Sequence, residues 1–352
     1  MHSSTALKDF GYNFLGPICS EYFYSLQDRC NELKPSAIGF LAREGYLFDL
    51  IYQQLVAKRL IEQPLANFYL LASRTFLFRI SIADPITWQW SLEHKFYGTL
   101  RKLLLGRFGF TLSEIESLFS PSELNVMWQL PAERATLELH FKEKLAAFDG
   151  LVTESRSAYL DYLRSVGIND SSKLLLCDVG YAGTIQKLLT RLLQSNTYGV
   201  YFITNQQGDY LIGDNTASMY TTFKDKVNMG DGYIMLDRSL FLEALLTSPN
   251  GQFLDICKTS DACAKAFSFA YGREAFAQKN FQHLNLVFKG AIEAVCHAFE
   301  NNIRYSIDEI EMLYEQFATK RVLLPRASWP LFDVDDAISG NGIVDPMRLF
   351  GL

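Results

Sequence analysis

Two stretches of the chain share one pattern: a continuous apolar run, a glycine turn, then apolar positions at helical spacing. Residues 37–55 read AIGFLAREGYLFDLIYQQL, which predicts a buried strand over Ala37–Leu41 and a helix after Gly45 with Leu47, Leu50, Ile51 and Leu55 on one face. Residues 173–193 read KLLLCDVGYAGTIQKLLTRLL, which predicts a strand over Lys173–Cys177 and a helix over Thr184–Gln194. Residues 10–33 begin with a Gly/Asn/Pro turn and continue as a helical pattern, stopped by Pro35 and Ser36, before the first unit. Further strands are expected at Asn67–Ala72, closed by Ser73 and Arg74, and at Tyr198–Thr204. A short one is expected at Ala217–Phe223, inside a region (205–235) rich in Gly, Asp, Asn and Thr. Between residues 76 and 165 the pattern turns helical, around 91–105, 112–119, 132–147 and 151–165, with Ser113 and Ser120 as N-caps and no strong strand. Helices are expected again at 239–246, 264–300 and 307–320, before a turn-rich tail beyond Pro325.

Strands alternating with helices across short turns predict an α/β fold with a mostly parallel sheet and right-handed crossovers, interrupted by a helical insertion over 76–165. In such sheets ligands sit at the carboxyl ends of the strands, where both glycine turns point. The chain has 352 residues, 49% of them apolar and 20% charged, enough to bury a sizeable core. Its formal charge of −6 argues against nucleic acid as a partner, since phosphate-backbone affinity needs a basic surface. The six cysteines, Cys19, Cys30, Cys177, Cys257, Cys263 and Cys296, have no metal-ligand spacing and read as free thiols in apolar surroundings. The start, MHSSTALKDF, lacks an apolar signal region, and no apolar run is long enough to cross a bilayer. A cytoplasmic protein, with a peripheral position at the inner membrane face as a further option, is the expectation.

A strand-to-helix turn of small residues aims backbone N–H groups and the positive end of a helix dipole at one point, where an anion binds. Two of them suggest a ligand with two phosphate groups. In the second turn Asp178 is followed by Gly180, Tyr181, Ala182, Gly183 and Thr184. The string LLLCDVGYAGT resembles the phosphoribosyl-diphosphate (PRPP) loop of type I phosphoribosyltransferases, in which acids at the strand end hold the ribose hydroxyls and the turn holds the 5-phosphate. Cys177 stands where the first acid of that pattern belongs, Ala182 replaces its first threonine, and Thr184 is displaced by one residue. The first turn, IGFLAREGYLFDLI, is similar to the pyrophosphate loop of the same family. The resemblance implies a diphosphate site made of Arg43, Glu44, Gly45 and Arg74, with Glu44 helping to position Mg2+ through water. On its own, an Arg–Glu pair at a strand end also fits a surface ion pair, and a glycine turn also fits packing.

The strings FGYNFLGP, FLAREG, LLASR, LLLCDVGYAGTIQ and LEALLTSPNG together resemble the C-terminal region of bacterial polysaccharide-biosynthesis proteins often labelled haloacid dehalogenase-type hydrolases. The resemblance covers residues 10–255 as a phosphoribosyltransferase-like domain and leaves 256–352 as a helical region packed on it. It implies transfer of 5-phosphoribose from PRPP to a glycan hydroxyl with inversion, giving a β-ribofuranoside. A separate phosphatase of the haloacid dehalogenase type then removes the phosphate. This chain does not read as that phosphatase. Its only Asp-x-Asp string, Asp333-Val334-Asp335, is too close to the C-terminus for the motifs that must follow. Glu243, in LEALLTSP, is the candidate general base, and also fits a solvated helix carboxylate. Tyr181 either stacks on sugar or packs. None of the histidines, His94, His140, His283 and His297 among them, has a partner at catalytic spacing. Arg79, Arg101, Lys102 and Arg107, among Trp88, Trp90 and Phe108, suggest either a surface for a lipid-linked or oligosaccharide acceptor or a solvated helix face. A nucleotide-sugar glycosyltransferase and a non-catalytic scaffold with a degenerate nucleotide fold are the competing expectations.

Overall fold

The structure, a computed structural model, describes residues 2–169, 172–259, 266–336 and 342–352. Six strands form the central sheet: β1 (Ala37–Leu41), β2 (Ala66–Leu70), β3 (Leu174–Asp178), β4 (Thr197–Ile203), β5 (Gly208–Ile212) and β6 (Asn215–Lys224). Their order is β2-β1-β3-β4-β6-β5; all neighbours are parallel except the β5/β6 pair, which is an antiparallel hairpin. The parallel, mixed α/β architecture is as the hydrophobic pattern implied. The hairpin strand β5 escaped the sequence reading because its residues are mostly exposed and carry little apolar signal.

Alternate residues of each buried strand feed two separate cores, so the sheet is the middle layer of three. Ile38, Phe40, Leu175 and Cys177 face one core with helices α1 (Gly16–Leu33), α2 (Gly45–Ala57) and, from the C-terminal part, α5 (Phe281–Asn301). Leu41, Leu70, Leu174 and Leu176 face the other with α3 (Leu145–Ser165), α4 (Thr184–Leu193) and most of the insertion. The chain therefore leaves β1 across one face, through α2 to β2, and leaves β3 across the opposite face, through α4 to β4. Strand order reverses between β1 and β3, and the sheet opens there at its carboxyl edge.

The insertion is not wholly helical. Phe96–Thr99 pairs antiparallel with Met127–Leu130, so the helix expected over 91–105 is broken into Trp88–Ser91, a strand, and Leu100–Arg107. Ser120 is an N-cap as expected, but the cap expected at Ser113 is Thr111, whose hydroxyl accepts from Glu114 N–H while the Glu114 carboxylate accepts from Thr111 N–H. That reciprocal box satisfies two orphan donors, where Ser113 would satisfy one. The helix expected over 264–300 is likewise shorter: a hairpin, Phe253–Lys258 with Phe267–Tyr271, precedes α5. Its first strand runs through the division expected at residue 255. Cys263 lies outside the described residues; Cys19, Cys30, Cys177, Cys257 and Cys296 are free thiols, Cys257 exposed. No helix among the described residues is long and apolar enough to cross a membrane.

Candidate functional site

The loops that follow strands β1 to β4 converge on one cleft of about 440 Å³. From β1 come Ala42, Arg43 and Glu44; from β2, Ala72, Ser73 and Arg74; from β3, the run Asp178–Ile185; from β4, Asn205. Glu243 enters from the short helix Ser239–Leu245, and Gln252 and Phe253 from the segment that follows it. Arg43 and Gly183 thus share one rim of one sheet. The Ala42–Arg43 and Gly180–Tyr181 peptides, both in this rim, are cis.

Of the residues the sequence singled out, Arg43, Glu44, Arg74, Asp178, Gly180, Tyr181, Ala182, Gly183, Thr184 and Glu243 all line the cleft. Gly45 does not. It is buried at the start of α2, where a Cβ would lie 2.4 Å from the Phe40 carbonyl carbon, so its smallness serves the close approach of α2 to β1. Gly183 has the left-handed backbone, φ +62°, that lets the turn enter α4 directly, and any Cβ there would sit 2.5 Å from Met219 Sδ. The start of α4 opens on the cleft through Gly183, Thr184 and Ile185.

Charge in the cleft is divided. Glu44, Asp178 and Glu243 interact through space. Burial, then Glu44, pushes both Asp178 and Glu243 above the usual carboxylate range, while Arg74 opposes the rise in both and Arg43 opposes it at Glu243. Their local bonds are few. Asp178 Oδ1 accepts from Val179 N–H at 2.8 Å, and Glu44 Oε2 accepts from Arg43 N–H at 2.9 Å. The Tyr181 hydroxyl donates to Glu243 Oε1 at 3.2 Å, and Ser239 hydrogen-bonds both groups. Tyr181 thus lines the cleft, packs against one core and is bonded to the Glu243 carboxylate. Neither guanidinium, Arg43 or Arg74, forms a hydrogen bond or ion pair with another side chain among the described residues, so the surface ion pair that Arg43 and Glu44 also suggested is not formed.

Among the other cleft residues, four with hydrogen-bonding or titratable side chains stand out. His94 comes from the insertion, Asn205 and Gln252 from loops, and Asp335 from the Asp-x-Asp string near the C-terminus. Asp335 is 6% exposed and paired with Arg273 at 2.9 Å. No spacing signal marks any of them, because only folding brings these segments to the sheet edge. The basic residues proposed for an acceptor surface are largely committed elsewhere. Arg79 is buried against Glu114 (2.6 Å) and Asp255 (3.3 Å), Arg101 pairs with Glu116 at 2.9 Å, and Arg107, Trp88 and Phe108 are buried.

Carboxylates that repel one another, two unpaired guanidinium groups and the start of a helix in one open cleft suit a ligand that carries both anionic groups and hydroxyls. A scan of protein-family models and a search of curated proteins find nothing that matches the chain.

Proposed function

We propose that the chain is a PRPP-dependent phosphoribosyltransferase that moves 5-phosphoribose to a sugar hydroxyl in the synthesis of a bacterial surface polysaccharide. One observation carries the reading: the two glycine turns resembling the pyrophosphate and 5-phosphate loops line a single cleft at the point where strand order reverses. In this reading the turn 180–184 and the start of α4 take the 5-phosphate through backbone N–H groups. Asp178 accepts hydrogen bonds from the ribose hydroxyls. Arg43 and Arg74, each with a planar fork of donors and no competing partner, take the diphosphate.

The bond from C1 to the diphosphate oxygen breaks as the acceptor oxygen bonds C1 from the opposite face, which inverts the α-donor to a β-ribofuranoside. The acceptor proton passes to Glu243, whose raised pKa makes it a stronger base than an exposed carboxylate. Tyr181 holds that carboxylate in place. Most of the rate gain comes from positioning and from charge complementarity at the leaving group.

The family resemblance implies Mg2+. Among the described residues no three His, Cys, Asp or Glu side chains form a ready-made cage. Glu44 and Asp178 nevertheless offer hard oxygen donors, and magnesium is commonly held by one or two carboxylates, with waters and substrate phosphates completing the shell. The residues fit. Bound there, the ion would neutralise charge on the departing diphosphate. The product keeps its 5-phosphate, so a haloacid dehalogenase-type phosphatase is the expected next enzyme.

Diphosphate release from PRPP with magnesium, with water or added glycans as acceptor, tests the assignment. Arg43→Ala and Asp178→Asn are expected to lower release by about 10²-fold or more. Undiminished release in both variants, or turnover of nucleotide sugars in place of PRPP, overturns it.

A further inference from the structure

The insertion does more than cover the sheet, because it delivers His94 to the cleft, close enough to Arg74 for the two to interact. The turn that carries His94 is held by one buried side chain. Arg107, 4% exposed, donates from Nη1 to the carbonyls of Ser91 (3.0 Å) and His94 (3.1 Å), and from Nη2 to that of Lys95 (3.0 Å). Its Nε is buried without a partner, and the Phe96 ring lies 5.5 Å from its guanidinium carbon. No carboxylate neutralises it among the described residues. Burying an unpaired guanidinium is expensive, and this one spends all its bonds on the backbone of residues 91–95.

The result is a basic wall. Arg74, Arg107 and His94 lie close enough to act on one another: burial, then Arg74, brings Arg107 down to about 10, and burial, Arg74 and Arg107 bring His94 below its usual value. The groups facing His94 are these two arginines and Glu93, and Glu93 is itself engaged with Arg134 at 2.9 Å. Arg74 and His94 are exposed at the cleft, free to meet a ligand. Glu44, Asp178 and Glu243 line the same cleft, and Arg74 acts on Asp178 and Glu243 as well. Two basic groups exposed at one cleft attract the anionic end of what binds.

We propose that Arg74 and His94 form an anion subsite at the insertion side of the cleft, for a phosphate or diphosphate group, with Arg107 as the positioning residue that holds His94 there. The proposal rests on the phosphoribosyltransferase reading for the source of the anion: the donor's own diphosphate, or a diphosphate carried by the acceptor.

The experiment follows the His94 ring signals by NMR in the full chain while inorganic diphosphate, PRPP or ribose 5-phosphate is added, with calorimetry on wild type and His94→Gln. Diphosphate is expected to shift the His94 signals and raise its titration midpoint, and His94→Gln to weaken diphosphate binding by about tenfold, the scale of one charge-assisted hydrogen bond. Ribose 5-phosphate, seated at the far turn, should leave the signals unmoved. If PRPP moves His94 and blocks diphosphate, the anion is the donor's; if diphosphate still binds to the PRPP complex and moves His94, it belongs to the acceptor. PRPP binding that depends on Arg43 and Asp178 while diphosphate and PRPP both leave His94 unmoved overturns the subsite and leaves the proposed function standing. Binding of neither probe by wild type overturns both.

Discussion

At the scale of single residues, the cleft trades stability for charge. Asp178 is an acid whose folded pKa lies above its ordinary value, so the folded chain holds its proton more tightly than the unfolded chain. Such a group favours folding below the ordinary carboxylate range, and that contribution is lost as pH rises through the folded pKa. Asp178→Asn is therefore expected to be more stable than wild type at pH 7, by about 1 kcal/mol once its partial exposure is allowed for. The difference should vanish on acidification below the usual carboxylate range. Urea titrations at several pH values check it, and a variant less stable than wild type at pH 7 would contradict the repulsion argued here. Gly183 poses a backbone question instead. Gly183→Ala must hold a left-handed φ and push Met219 aside, and should cost about 1–2 kcal/mol and loosen ribose 5-phosphate binding, both readable by thermal shift with and without that ligand.

At the scale of elements, each strand end contributes a different chemistry because each strand is followed by a different turn. The β1 turn brings a guanidinium and a carboxylate, and the β3 turn brings a carboxylate and a helix start. The insertion owes its contribution to Arg107. Arg107→Met would leave three carbonyls without their donor, at about 3 kcal/mol or more in stability, the cost of several buried unsatisfied acceptors. Chemical denaturation should show this loss, and hydrogen exchange should show faster opening of residues 91–99 than of the central sheet. Elements with strong periodicity, α1, α2, α4 and β1, were legible from the chain alone. The short strand Phe96–Thr99 and the hairpin Phe253–Lys258/Phe267–Tyr271 were not. A strand of four to six residues is defined by its partner more than by its own sequence.

At the scale of the whole molecule, the chain's two ends close one core. The first helix, His2–Phe10, and α1 both pack on α5, and a Cβ at Gly290 would lie 1.9 Å from the Lys8 carbonyl oxygen. Leu7, Phe10 and Phe14 share the core of Val287, Phe288 and Ala291 on α5. Gly290→Val is thus expected to do more than loosen a terminus. Separating those helices uncovers one face of the sheet, so thermal unfolding should drop by many degrees and proteolysis should attack both ends together. Cleavage confined to residues 256–352, with the rest intact, would instead reveal a separable C-terminal unit.

The hydrophobic rhythm of the sequence was enough for the sheet class and the two strand–turn–helix units, because local periodicity follows from neighbours a few positions apart; the ten cleft residues named from the sequence came from the chemistry of the turns and from the family resemblance. Only the tertiary structure brought Glu243 close to Asp178, bonded Tyr181 to the Glu243 carboxylate, set Gly45 tightly against Phe40, and brought His94 close to Arg74. Those outcomes depend on segments tens of residues apart meeting at one sheet edge, and such meetings are fixed by the packing of two cores on opposite faces of the sheet.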